Sequence, residues 1–233
     1  RAGDRQMLKK LLIIINPGSG TADAAQLNAA VEEHLGGFDL RMLELSAGES
    51  AEQVARGNLD GGWDAVVAAG GDGTVSGVAR ALAGTRTPLA IAPMGTANML
   101  AEQLGIPGDV SDALALLTGN TRVRMIDGME IDERLYFLNA GVGVSAKTVR
   151  DLNDSSKRIF GIGAYYLIGI AHTFSFRPVK CIVTIDGHSS RLRVLDVTVI
   201  NAGFNLEHPL PGIPSVLPDD GKLDMLVIWT PSP

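Results

Sequence analysis

The chain has 233 residues, 45% of them hydrophobic and 20% charged, with a formal net charge of −6. This length suits one or two domains with a real apolar core, and the acidic balance excludes a generally basic nucleic-acid binder. The single cysteine, Cys181, excludes an internal disulfide framework and a cysteine-built zinc site, which fits a reducing, cytoplasmic setting.

Leu11–Ile15 is a continuous apolar run and predicts a fully buried strand. A helix follows from Ala22 to Leu35, with Leu27, Val31 and Leu35 on one face. Phe38–Leu45 alternates loosely and reads as a strand, Glu49–Leu59 as a helix, and Ala65–Ala69 as a small buried strand ending at Gly70-Gly71. Thr74–Leu82 is helical, Leu89–Ala92 is another buried strand, and helices follow over Asn98–Leu104 and Val110–Leu117. This alternation predicts an α/β fold with a mostly parallel, doubly wound sheet.

After about Thr121 the pattern turns antiparallel. Arg122–Ile131, Tyr136–Ala140, Val179–Asp186, Arg191–Ile200 and Lys222–Trp229 read as strands, separated by turn signals at Asp132-Glu133, Asp186-Gly187-His188 and Asp220-Gly221. One long helical pattern, about Ser156–Phe174, interrupts them. It overlaps the longest uncharged stretch, Ile159–Ser175, which glycines break and which is too short for a membrane span. The domains expected are 1–121 and 122–233. Trp63 and Trp229 are read as packing residues, Cys181 as core, and Arg122, Arg124, Lys157 and Arg158 as a solvated face. The four histidines lack ligand spacing.

Four motifs carry chemistry. Asn16-Pro17-Gly18-Ser19-Gly20 follows a buried strand and precedes a helix, a place where backbone amides and the helix dipole receive anions; an ordinary βα turn explains it equally well. Gly70-Gly71-Asp72-Gly73-Thr74 repeats the strand–turn–helix plan. A bare phosphate cradle excludes a carboxylate, so Asp72 makes sense if it holds Mg²⁺, positions a water of that ion, or takes a proton from an attacking hydroxyl. It is neither a Walker A loop nor the dinucleotide fingerprint. In Pro93-Met94-Gly95-Thr96-Ala97-Asn98, Thr96 and Asn98 either cap the next helix or donate to a ligand. Asp219-Asp220-Gly221-Lys222-Leu223-Asp224 is a tight turn whose carboxylates and carbonyls also suit a hard cation. Three polar glycine turns after three strands of one sheet gather along one edge, where a nucleotide explains all three together.

In this order the four motifs, with Phe137-Leu138-Asn139-Ala140-Gly141-Val142-Gly143, resemble the diacylglycerol kinase catalytic-domain family of lipid kinases over nearly the whole chain. The resemblance implies an N-terminal α/β nucleotide domain like those of NAD kinases and phosphofructokinases, a C-terminal antiparallel β-sandwich, and ATP- and Mg²⁺-dependent phosphorylation of a lipid hydroxyl. Carried over by position, Asn16, Pro17, Gly18, Ser19, Gly20, Ser46, Gly70, Gly71, Asp72, Gly73, Thr74, Gly95, Thr96 and Asn98 would bind the nucleotide. Asp72 would also be catalytic, and Leu217, Asp220 and Lys222 would hold a structural Mg²⁺. The family's late Asp-Gly-Glu motif, which supplies its proposed general base, does not occur before Pro233, so a fragment is expected. The alternatives are an NAD kinase-like enzyme and a non-catalytic nucleotide- or lipid-binding module. The expected partner is a lipid substrate met transiently at a membrane surface, with no nucleic acid and with a homodimer allowed.

Overall fold

The structure, a computed structural model, describes residues 9–19, 24–119, 122–143, 177–202 and 216–229. Gly20 and the helix expected over Ser156–Phe174, with Lys157 and Arg158, lie outside them. Strands β1 (Lys10–Ile15), β2 (Asp39–Glu44), β3 (Ala65–Gly70) and β4 (Leu89–Pro93) form a parallel sheet in the order β2-β1-β3-β4. The connecting helices are α1 (Ala24–Leu35), α2 (Ala51–Arg56) and α3 (Asp72–Leu82), and α4 (Met99–Gln103) and α5 (Val110–Ala115) follow β4.

The central strands read as unbroken apolar runs because both their faces are covered. Leu11, Ile13, Val67 and Ala69 pack in one cluster with Leu27, Val31 and Leu35 of α1 and Val110 and Leu114 of α5. Leu12, Ile14, Val66 and Ala68 alternate to the other face and are just as inaccessible. There α2 and α3 pack on each other and on β1 and β3. Each fully buried Leu or Ile contributes about 1.5–3 kcal/mol.

In the second half, β7 (Asn139–Gly143), β9 (His188–Ile200) and β10 (Asp224–Trp229) form an antiparallel sheet in the order β10-β9-β7, and β8 (Val179–Ile185) pairs with the first part of β9. β5 (Met129–Ile131) and β6 (Arg134–Tyr136) make a separate ribbon. Asp132 and Glu133 turn it with φ of 50° and 62°, and Asp186-Gly187 turns β8 into β9 with φ of 48° and 81°. Both are pairs of left-handed residues, which match the twist of a hairpin. The described fold is thus the expected one, a parallel α/β sheet followed by an antiparallel one. Compactness divides the chain into residues 1–126 with 130–137, and 127–129 with 138–233.

Three expectations need correction. Arg122–Ile131 is not one strand, because only Met129–Ile131 pairs. The alternating Val123 and Met125 are 71% and 82% exposed, so the alternation has no face to bury. Tyr136–Ala140 breaks into the end of β6 and the start of β7. Trp229, read as a packing residue, is 59% exposed near the end of β10.

Candidate functional site

Parallel strands deliver their carboxyl ends to one sheet edge, and the first three motifs meet there. The Asn16 backbone N–H donates to the Ala69 carbonyl (2.9 Å), extending the β1–β3 ladder by one residue. Its side chain then ties two motifs together. Asn16 Nδ2 donates to Thr74 Oγ1 at 2.9 Å, and Asn16 Oδ1 accepts from the Gly18 N–H at 3.1 Å. Ser19 closes the turn by donating from Oγ to the Asn16 carbonyl at 2.7 Å.

The glycines of the second and third motifs have separate reasons. A Cβ on Gly70 would meet the Thr74 side chain at 2.6 Å. A Cβ on Gly95 would lie 2.5 Å from the Gly71 Cα, so the two turns touch backbone to backbone. Gly73 differs. It is exposed in the first turn of α3, and among the described residues a Cβ there would meet nothing within 4 Å. Glycine costs a helix about 0.5–1 kcal/mol against alanine, and none of the described residues near Gly73 requires it. The first-turn amides of Gly73 and Thr74 lack intrahelical acceptors and point where an anion is favoured.

Asp72 opens α3, and its carboxylate reaches the start of α4. Oδ1 accepts from the Leu100 N–H at 3.3 Å, and the Met99 and Asn98 amides also favour its charge. Burial outweighs these donors and raises its pKa above the ordinary 3.8. Asn98 holds the N-cap position of α4 with φ 47°, but its side chain caps nothing. It folds back instead, with Oδ1 accepting from the Gly95 N–H (2.9 Å) and Nδ2 donating to the Gly95 carbonyl (2.8 Å). The expected capping role therefore passes to Asp72.

A cleft of about 310 Å³ opens over this edge, lined by Asn16, Ser19, Gly71, Gly73 and Thr74 together with Leu45, Glu49–Glu52, Gly77 and Arg80. A neighbouring hollow of about 650 Å³ adds Pro17, Gly18 and Ser46. Gly70 lies buried in β3, while Asp72, Gly95, Thr96 and Asn98 line neither space. Gly20 is outside the described residues.

Glu49, Glu52 and Arg80 escape sequence reasoning. Arg80 Nε donates to Glu52 Oε2 at 2.6 Å, and the Arg56 guanidinium donates to Glu52 Oε1 and to the Arg80 carbonyl. This network joins α2 to α3 across the cleft wall. Only the Glu52–Arg56 spacing of four gives a signal in the sequence. The Arg80 hydrogen bond holds the Glu52 carboxyl below its ordinary 4.5, against partial burial. The stability it contributes is present above that ordinary value and is lost as the pH falls through the lowered one. Glu52→Gln is expected to lower stability at neutral pH by less than about 1 kcal/mol. Melting curves of both proteins should converge in acid.

The acidic turn lies elsewhere in the chain. The Lys222 N–H donates to Asp220 Oδ1 (3.0 Å), and Gly221 has φ 72°. Asp127, which sequence reasoning also misses, accepts from the Gly221 N–H at 2.7 Å through Oδ2, and its own N–H donates to the Pro218 carbonyl at 2.7 Å. Leu217, Asp220 and Lys222 are exposed. Among the described residues no group of three or more His, Cys, Asp or Glu side chains could hold a metal.

A model of the diacylglycerol kinase catalytic domain matches residues 10–131, and one of the YegS C-terminal NAD kinase beta sandwich-like domain matches residues 139–232. The chain is 31% identical to an uncharacterized protein of Synechocystis sp., covering 92% of this chain and 52% of that one. It is 30% identical to the diacylglycerol kinase of Bacillus subtilis, covering 95% and 74%. The chain thus spans about half the length of the first relative and about three quarters of the second. A crystal structure of a diacylglycerol kinase from Bacillus anthracis superposes with a TM-score of 0.72 at 26% identity, over 97% of this chain and 75% of that one.

Proposed function

The chain belongs to the diacylglycerol kinase catalytic-domain family, and from that premise we propose that it is an ATP- and Mg²⁺-dependent lipid kinase acting on a diacylglycerol-like hydroxyl. The observation that supports this most is the bare face of Gly73 at the amide-rich start of α3, opening on a cleft tied together by Asn16 and Thr74. It suits a polyphosphate, which needs close backbone approach and helix-terminal amides.

In the reaction the lipid oxygen forms a bond to the γ-phosphorus, the bond from that phosphorus to the bridging oxygen breaks, and ADP leaves. The lipid proton passes to a base. Catalysis of this kind is mostly positioning and charge stabilisation. Amides of Gly73 and Thr74 hold phosphate oxygens, and Asn16 fixes Thr74. Asp72 stands at the edge of the same turn with a raised pKa, which makes its carboxylate a better proton acceptor. Magnesium keeps several waters and binds through one or two carboxylates plus substrate phosphates; the Asp72 carboxylate, whose near neighbours are the amides of Asn98, Met99 and Leu100, would supply one such ligand, and the ion, when bound, would neutralise phosphate charge. Asp220, with the carbonyls of Leu217 and Lys222, would hold a second, structural ion.

The test incubates a full-length version of the protein with γ-labelled ATP and Mg²⁺ against diacylglycerol, phosphatidylglycerol, sphingoid bases and NAD. Label on a diacylglycerol-like lipid that requires Mg²⁺ is expected. Label on NAD alone, or on no acceptor while ATP still binds, overturns the proposal.

A further inference from the structure

The hairpin of β8 and the first part of β9 carries a face that the nucleotide cleft does not use. Cross-strand partners in an antiparallel pair lie on one face. The register pairs Lys180 with Arg193, Ile182 with Arg191 and Thr184 with Ser189. One face therefore holds three cations and no carboxylate, in a chain whose net charge is −6. At its centre Ile182 is 64% exposed, flanked by Lys180 along its strand, by Arg191 opposite and by Arg193 diagonally. Among the described residues none of the three cations is ion-paired. The opposite face sets Val179, Cys181 and Val183 against Val194, Leu192 and Ser190; Val194 is buried and Cys181, Val183 and Leu192 are half-buried, while Val179 at one end and Ile185 at the tip stay 59% and 50% exposed, so that face is the more covered one only along its middle. On the basic face Lys180 and Arg191 are exposed and Arg193 is half-buried with its Nε covered. The Thr184 and Ser189 hydroxyls are hydrogen-bonded at 2.8 Å on the basic face and hold its tip.

We propose that this basic face docks the protein on an anionic phospholipid surface, with Lys180, Arg191 and Arg193 meeting headgroup phosphates and Ile182 entering the interface. Basic side chains gain from the negative potential of such a surface, and an apolar side chain among them gains from burial at the headgroup boundary. Charges placed only to keep a strand edge soluble would not surround an isoleucine left open to water. The lipid-kinase proposal supplies the reason for a bilayer to matter, while the hairpin's own chemistry says where contact is made.

The full-length protein is sedimented with phosphatidylcholine vesicles, with and without phosphatidylglycerol, at low and high salt. Binding is expected only with phosphatidylglycerol and should weaken with salt. Each basic residue near an anionic surface is worth about fivefold in partitioning, so Lys180→Gln, Arg191→Gln and Arg193→Gln together should cost about 100-fold. Ile182→Ser should weaken binding while leaving the salt dependence unchanged. The charge-conserving set Lys180→Arg, Arg191→Lys, Arg193→Lys should bind like the wild type, and ATP affinity shows that each variant is folded. Should the glutamine variants fail to fold, Ile182→Ser and the charge-conserving set still decide. Equal binding by the glutamine variants and the wild type, unchanged binding by Ile182→Ser, or equal partitioning of the wild type onto both vesicle types overturns the proposal. Transfer to a short-chain diacylglycerol dispersed without vesicles separates the two readings. It should survive the glutamine substitutions, and its absence from the wild type would count against the kinase reading alone.

Discussion

Asp72→Asn is expected to lower phosphoryl transfer by about 10²–10⁴-fold, the range for loss of a positioned proton acceptor, while the affinity for ATP measured without Mg²⁺ changes little. The same variant should be at least as stable as the wild type at neutral pH. Its amide oxygen can still accept the Leu100 N–H that the carboxylate accepts at 3.3 Å, and it removes a partly buried charge. The pH dependence follows from the raised pKa. A carboxyl whose folded value lies above its unfolded one binds its proton more tightly when folded, so stability falls as the pH rises through the window between 3.8 and the raised value. The variant's advantage should therefore be full at neutral pH and shrink as the pH is lowered through that window. Single-turnover transfer, calorimetric ATP binding and melting curves separate the three effects. If Asp72 served only as the cap of α4, the asparagine variant would keep its activity.

Gly95→Ala should lower stability, whereas Gly73→Ala, at a residue that lines the cleft, should raise it and weaken ATP binding. At Gly95 the new methyl would lie 2.5 Å from the Gly71 Cα and 2.8 Å from Asn98 Oδ1. Backbone cannot yield as a flexible side chain does, so destabilisation of about 1–3 kcal/mol or more is expected. At Gly73 the methyl meets no atom of the described residues, and stability should rise by about 0.5–1 kcal/mol from the better helix residue. The space it fills is the space assigned to phosphate, so affinity should fall about 10–100-fold, the same 1–3 kcal/mol of crowding now placed on the ligand. Denaturant unfolding alongside calorimetry measures both. Unchanged ATP affinity in Gly73→Ala would mean that the glycine's open side faces no ligand.

The sheet is legible in the sequence because its central strands are covered twice. Leu11–Ile15 and Ala65–Ala69 have no polar side to confuse the period, and each ends in a glycine turn. The order of the turns is legible too, since consecutive parallel strands deliver them to one edge. What fails is side-chain direction. Asn98 reads as a cap by residue type, but its left-handed backbone turns the side chain back to Gly95, and a carboxylate distant in the chain takes over. Arg80 sits in a helical pattern that says nothing of Glu52, and Asp127 meets Gly221 across 94 residues of sequence. Such pairings belong to the tertiary fold and leave no local period. Val123 and Met125 show the converse, an alternation without a buried face behind it.

A crystal structure of the full-length protein with Mg²⁺ and a non-hydrolysable ATP analogue tests the site most directly. The phosphates should lie over Gly73 at the start of α3, within hydrogen-bond reach of the Gly73 and Thr74 amides, with the Asp72 carboxylate at their edge. Nucleotide bound away from the cleft lined by Asn16, Gly73 and Thr74 would contradict that assignment.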